Sequence, residues 1–362
     1  MFILAAAAAA CGKYEKVSPL DGRDVEITFA AAPVTRALSE FDTQNVFQST
    51  AYALASDKAW QNSACDATQF ILPNTVSWEE VKWRMETRHY WPAATRALTF
   101  YSWTLNSSTL AFSGSSTNVG FSATEGVSLK NYDISVEGNT DFMVADPATD
   151  KVKSTASVLT DGVPTIFKHK LSKVQIAVRT KEDYSPMMFR MCRIDFTNVA
   201  QQADYQECQW DDADSPKWSV IDKWSNHSGT YDARYADYST FQNLHYKTGQ
   251  VFGYNGGTPK LLVTYTDTED SGYTDWFEIR QQYFIPETFD GNEEIKLTYQ
   301  CIPNGGSICM VTEKSAKLKD VIGTAFEAGK LYTINVVVGL DEVTFDPVIE
   351  DWTDVNKDIT LE

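Results

Sequence analysis

The chain is expected to be an all-β protein built as two antiparallel β-sandwich domains. Three observations predict this. Apolar residues recur with a period of two rather than 3.6, turn signals separate the runs at short intervals, and no stretch sustains a long amphipathic helix. The composition agrees, with 43% hydrophobic and 22% charged residues, which marks a packed globular chain rather than a disordered one. Aromatics at 13%, with 10 Trp and 17 Tyr, suit half-buried pleated surfaces, and 362 residues correspond to about two domains.

Taken in order, Asp24-Val25-Glu26-Ile27-Thr28-Phe29 alternates cleanly. It turns Val25, Ile27 and Phe29 to one face and Glu26 and Thr28 to the other. Lys173–Arg179 and Glu294–Tyr299 alternate likewise, while Leu261–Tyr265 and Tyr332–Val338 are more continuously apolar, as in a sandwich core. Turn signals stand at Gly114-Ser115-Ser116, Gly138-Asn139, Asn255-Gly256-Gly257 and Asp290-Gly291-Asn292. Trp78–Met85 and Leu318–Phe326 each fit a short helix, a strand or a turn. Asp146–Asp161 is poor in bulky apolar residues, and Val163–Val178 opens a new set of strands. The expected organisation is therefore a signal segment (1–11), a leader with the first strand (12–36), an N-terminal sandwich (37–160) and a C-terminal sandwich with a strand-like tail (161–362).

Charge and motifs exclude several functions. A net charge of −18 repels phosphate backbones and anionic lipid surfaces, so no nucleic-acid partner is expected. Four scattered histidines, with no G-x-S-x-G, H-E-x-x-H or phosphate-binding glycine loop, predict no enzyme, no cofactor and no metal site. Asp354-x-Asn356-x-Asp358 opens like a calcium loop, but Ile359 stands where that loop requires glycine. Acidic pairs such as Glu79-Glu80 carry no specificity in so acidic a chain.

The N-terminus, Phe2-Ile3-Leu4 followed by Ala5–Ala10 and Cys11-Gly12, resembles a bacterial lipoprotein signal with Cys11 as the lipidated residue; a plain N-terminal helix is the alternative. Among the other cysteines, Cys301 and Cys309 are symmetric about Gly305, with Asn304-Gly305 at the tip of a tight hairpin. That places them at bridging distance. Cys192 and Cys208 flank a second candidate hairpin and Cys65 is left over; the alternative to bridges is free buried thiols. There is no C-x-x-C spacing to favour zinc.

Four stretches together resemble the fimbrillin-like family of Bacteroidales, the subunits of type V pili. They are Ile27-Thr28-Phe29 with Thr35-Arg36-Ala37 and Val46–Leu54; Tyr90-Trp91-Pro92 with Leu98–Trp103; Phe167–Leu171 with Val174-Gln175-Ile176; and Gly329–Asn335 leading to Val343-Thr344-Phe345, Pro347 and Trp352. They run from end to end in the family's order, while Arg190–Asp290 carries no matching motif. The resemblance implies two transthyretin-like domains in an outer-membrane lipoprotein precursor, trimmed by an arginine-directed protease and polymerised by strand exchange between neighbouring subunits. Carried onto this chain, Cys11 takes the lipid anchor and Arg36-Ala37 is the scissile bond. Val25–Ala30, with Val25, Ile27 and Phe29 inward, is the strand removed. Asp358–Glu362, with Ile359 and Leu361 on one face, is part of the donor tail, and Val348, Ile349 and Trp352 are upstream contributors.

Alternatives stand beside this. Arg-Ala recurs at Arg96-Ala97 within an expected strand, so the dipeptide alone does not mark a cleavage site. The tail also reads as a resident edge strand. A second functional reading is a tip or accessory adhesin, or a non-polymerising lipoprotein that binds a host or bacterial surface glycan or protein through Trp60, Trp78, Trp210, Trp218, Trp224 and Trp276. His169, beside alternating strand residues, is expected to be a structural histidine.

Overall fold

The computed structural model describes residues 25–33, 42–92, 96–114, 116–137, 140–153, 161–180, 187–207, 217–223, 242–244, 251–255, 258–263, 277–303, 310–338 and 343–351. Its strands are β1 (Thr28–Pro33), β2 (Phe47–Ala55), β3 (Thr68–Glu79), β4 (Lys82–Met85), β5 (Arg96–Thr104), β6 (Asn118–Ser122), β7 (Gly126–Asp133), β8 (Met143–Ala145), β9 (Ala148–Lys151) and β10 (Val163–His169). There follow β11 (Ser172–Thr180), β12 (Met187–Thr197), β13 (Ala200–Gln206), β14 (Trp218–Lys223), β15 (Gln242–Leu244), β16 (Val251–Asn255), β17 (Thr258–Val263) and β18 (Phe277–Phe284). The last are β19 (Glu287–Thr288), β20 (Glu294–Pro303), β21 (Met310–Lys317), β22 (Ala325–Phe326), β23 (Lys330–Val338) and β24 (Val343–Asp351). The described chain is nearly all β, as period-two patterning requires.

The first half closes on itself. Strands run β2-β3-β4-β1-β10-β8-β5, and β5 pairs back onto β2, with β9 flanking β5. Each stave sends side chains inward: Phe29, Phe47, Ile71, Val76, Trp83, Met85, Leu98, Phe100, Met143, Ala145, Val163 and Phe167 form one buried cluster. Closure leaves no unpaired edge around this core. The expectation of wholly antiparallel sheets is corrected at β1, which is antiparallel to β4 but parallel to β10, and at β11, which is parallel to β23. β10 follows the expected 160/161 boundary in sequence, yet it is a stave of this barrel between β1 and β8.

The outward faces of β2 and β5 supply Tyr52, Tyr101 and Trp103 to a second, larger core. That core runs through the mixed sheet β14-β13-β7-β6, whose strands come from both halves of the chain. It continues between two four-stranded sheets, β18-β11-β23-β24 and β15-β12-β20-β21, where Phe196 of β12 meets Phe284 of β18 at 4.8 Å between ring centroids. In β23 the continuous apolar run resolves into alternation, with Tyr332, Ile334, Val336 and Val338 sealed and Thr333 and Asn335 half-buried. Trp78–Met85 is the β3–β4 hairpin, in which Trp78 opposes Trp83. Leu318–Ile322 is a short helix, α1, that buries Leu318, Val321 and Ile322 before Gly323 ends it.

Throughout β20–β21 the register sets Cys301 opposite Met310, one residue off the expected symmetry about Gly305. A slip of one residue would turn exposed Glu313 onto the face that carries buried Ile295, Leu297 and Tyr299. Cys309 and Cys208 themselves lie outside the described residues. Cys192 falls at an irregularity in the β12–β20 register, and Cys65 is an exposed free thiol.

Charges pin the junction of the second core. Lys223, ending β14, sits 3.0 Å from Glu287 and 2.6 Å from Glu293, both almost sealed from solvent. Burial pushes Glu287 up, although the Ala200 amide and Lys223 oppose it. At Glu293 burial is outweighed by Lys223 and by the amides of Asp290 and Gly291, and its pKa is lowered. A lowered carboxylate contributes stability that is present at neutral pH and is lost as pH falls through the folded-state value. Lys223→Met leaves two sealed carboxylates without a cation and is expected to cost about 3–5 kcal/mol in urea unfolding. The part of the acid sensitivity that belongs to Glu293 should shrink in the same variant, read by comparing midpoints at about pH 7 and about pH 4.

Candidate functional site

The site begins with β1 and the residues that lead into it. The Val25 carbonyl accepts from the Trp91 amide at 2.9 Å, and the Ile27 amide donates to the His89 carbonyl at 2.8 Å. Glu26 bridges to Tyr90. Thr28 and Phe29 then oppose Arg84 and Trp83 on β4, while Phe29 to Pro33 run alongside Val163 to Phe167 on β10. The paired segment thus spans 25–33, three residues beyond the strand expected to end at Ala30. Ile27 and Phe29 are 1% and 2% exposed. Phe29 packs edge-on against Phe47 at 5.4 Å and Phe100 at 5.8 Å, at the centre of the barrel's aromatic cluster. Burying these two side chains stabilises the strand by roughly 1.5–3 kcal/mol each.

The outer face of the same strand is ionic. Glu26 lies 3.3 Å from Nε of Arg88 and 3.9 Å from Nε of Arg84. Arg88 is itself held by the Met85 carbonyl at 2.5 Å and by Glu79. Sequence reasoning put Glu26 on the correct face but missed these partners, because the arginines come from a hairpin whose register the sequence leaves open.

Gly162 controls the approach of β10. Its φ of +98° is open to glycine, and a Cβ there would lie 2.7 Å from the Phe29 carbonyl carbon and 2.8 Å from the Thr28 oxygen. The β1 backbone passes where a side chain would stand.

At the other end, β24 is an edge strand on β23, and its far side pairs with no strand among the described residues. Val343 and Phe345 pack on the core, whereas Val348 and Ile349 are 43% and 47% exposed. Lys330 anchors Asp351 at 2.5 Å. The residues assigned to lipidation (Cys11), cleavage (Arg36, Ala37) and strand donation (Ile359, Leu361), together with Trp352, lie outside the described residues.

A cavity of about 800 Å³ opens between the end of β10, β14 and the segments around Glu287 and Glu327. Its lysines are matched to carboxylates: Lys168 with Asp146, Lys170 and Lys217 with Glu207, and Lys223 with Glu287 and Glu293. Burial lowers the Lys170 ammonium even though Glu207 pulls it up. Of the tryptophans offered as ligand platforms, Trp60 and Trp218 are core. Trp60 donates to the Tyr101 hydroxyl at 3.1 Å, and Trp218 donates to the Lys170 carbonyl at 2.7 Å. Trp78 is part-exposed, edge-on to Trp83. Trp210, Trp224 and Trp276 lie outside the described residues. His169 sits 2.9 Å from Asp141, buried, as a structural histidine would. Among the described residues no three His, Cys, Asp or Glu side chains converge to hold a metal ion, and no helix is long and apolar enough to cross a membrane.

The fimbrillin-like family profile matches residues 35–352. The chain belongs to the fimbrillin-like family. This fimbrillin-like chain is similar in fold to the crystal structure of a fimbrial protein from Bacteroides vulgatus, at 16% identity and a TM-score of 0.60, with 91% of this chain and 99% of that one covered. It also aligns with the tip fimbrial protein Mfa3 from Porphyromonas gingivalis, at 8% identity and a TM-score of 0.37, with 85% of this chain and 95% of that one covered. No curated protein matches it.

Gly162→Ala adds a methyl group into the β1 backbone at a positive φ, and is expected to destabilise this fimbrillin-like barrel by about 1–3 kcal/mol. The loss should appear first at β1. Native-state hydrogen exchange should show the amides of 27–32 opening well before those of β2 and β5, and a uniform loss across the barrel would contradict the local account.

Proposed function

We propose that this fimbrillin-like protein is a structural subunit of a surface fimbrium, exported as a lipoprotein precursor and assembled by protease-triggered strand exchange in support of adhesion. One observation carries the reading: residues 25–33 form a stave paired on both sides of a closed barrel, and Arg36 follows three residues after its end. In this reading Cys11 holds the precursor to the outer membrane through lipid. Cleavage of Arg36-Ala37 severs the stave from the barrel. Loss of the stave opens a groove between the edges of β4 and β10, floored by Phe47, Trp83, Phe100 and Phe167, which demands a replacement strand. The tail of a neighbouring subunit, with Ile359 and Leu361 inward, fills it by β-augmentation. The barrel and the C-terminal sandwich then stand for the two transthyretin-like domains, joined through the mixed sheet.

A tip or accessory adhesin is the second reading, favoured by one feature. β24 is bound within its own sheet as far as Asp351, as suits a subunit that accepts a strand without donating one.

Digestion of the folded precursor with an arginine-specific protease, followed by intact mass and electron microscopy, separates the two. The subunit reading expects one cut after Arg36, then an oligomer ladder or filaments that Ile359→Asp abolishes. A protein cut there that stays monomeric supports the adhesin, and resistance of Arg36 rejects proteolytic triggering.

A further inference from the structure

The inward side chains of β1 do not by themselves specify how a replacement strand is aligned. A slip of one residue would turn its apolar side chains to solvent, but a slip of two preserves the alternation and presents the same face. Some feature other than periodicity must choose between those registers.

The outer face supplies one. Arg84 and Arg88 converge on Glu26, and all three side chains are no more than a third exposed. When residues 25–33 leave, both guanidinium groups at the mouth of an apolar groove lose the carboxylate they share, and Arg88 keeps only Glu79. A strand that restores a carboxylate there relieves their mutual repulsion; one that brings a neutral or basic residue does not.

The chain's own tail carries that carboxylate in the matching place. Asp358-Ile359-Thr360-Leu361 repeats Glu26-Ile27-Thr28-Phe29 position for position: acid, isoleucine, threonine, large apolar residue. We propose that Arg84 and Arg88 form a carboxylate clamp that sets the register of the C-terminal strand of a second copy of this chain, taking Asp358 where Glu26 stands. This deepens the strand-exchange reading and rests on it. The incoming strand keeps the direction of β1, antiparallel to β4 and parallel to β10. Ile359 enters the site of Ile27 and Leu361 that of Phe29, and Thr360 passes Arg84 as Thr28 does. A two-residue slip would set Asn356 or Thr360 beside the arginines and leave both without the carboxylate that Glu26 supplies, Arg88 keeping only Glu79. Leu361 is smaller than Phe29, so the aromatic site is filled less completely by the donor than by the resident strand.

The test uses precursor trimmed by the arginine-specific protease, freed of the cleaved N-terminal fragment by gel filtration in mild denaturant and returned to native buffer, and a fluorescein-labelled peptide of residues 351–362, with binding read by anisotropy. The unmodified peptide should bind, Ile359→Asp should abolish binding, and Asp358→Lys should weaken it by about tenfold or more. Asp358→Glu should retain affinity and Leu361→Phe should raise it. An Arg84→Glu receiver should reverse the preference, binding the Asp358→Lys peptide better than the unmodified one. If Asp358→Lys binds as well as the unmodified peptide while Ile359→Asp does not, the clamp is wrong and strand exchange stands. If the unmodified peptide fails to bind, or Ile359→Asp binds equally, strand exchange fails and the clamp with it. The peptide variants need no change in the receiver, so they decide the matter even where Arg84→Glu does not fold.

Discussion

Everything in the N-terminal half depends on the closure of one ring of hydrogen bonds. A sheet that ends in open edges must cover, charge or pair them; here β5 returns to β2 and every stave is paired on both sides. β1 is the first described stave of that ring, and its sealed inward anchors are Ile27 and Phe29. It is also among the most central by packing, because Phe29 touches rings from β2 and β5 at once. In the proposed assembly, a stave that is energetically central and precedes the other described strands is what lets one covalent cut change the whole barrel.

The larger core is built on a different principle. The mixed sheet takes β6 and β7 from the first half and β13 and β14 from the second, so the aromatic contacts of Tyr132 and Phe142 with Trp218 and Tyr205 span the two. Buried ion pairs around Glu207 and Glu287 sit at this junction. Such pairs stabilise poorly but are costly to break, so they favour one arrangement of the halves over others. The edge strand β24 lies in the sheet β18-β11-β23-β24 while β1 is a stave of the barrel, so in the proposed assembly a subunit's donor end and its acceptor groove belong to different sheets.

Much of this was legible in residue order. The alternation of Val25-Glu26-Ile27-Thr28-Phe29 showed which side chains face inward, because period two needs no tertiary information, and Glu294–Tyr299 and Tyr332–Val338 resolved into strands for the same reason. Pairing partners were not legible. The sequence carries no sign that β10 runs parallel to β1 or that β2 meets β5, since these are contacts between segments far apart along the chain. The expected Cys301–Cys309 symmetry failed for a related reason: a local tip motif competes with the whole length of a ladder, and the ladder buries Ile295, Leu297 and Tyr299 together. The ion pairs of Glu26 were likewise invisible, as they depend on the β3–β4 turn at Glu80, held at a φ of +57°.

In the proposed assembly, a strand tied to its own barrel by the chain around Arg36 competes at an effective concentration of about millimolar or more, whereas a donor arrives at whatever concentration secretion provides. As long as the tie holds, Leu361 in place of Phe29 is, in this proposal, a losing exchange on packing as well as on entropy, which would protect an uncut precursor from premature assembly. Cutting the tie does not eject the strand; Ile27, Phe29 and the paired backbone still hold it. It converts a unimolecular contest into a bimolecular one, in which a released peptide dilutes away and a donor fixed to a large subunit does not. In the proposed assembly the weaker occupant therefore prevails because it cannot leave, and the fit of its side chains governs which register it adopts more than whether it enters.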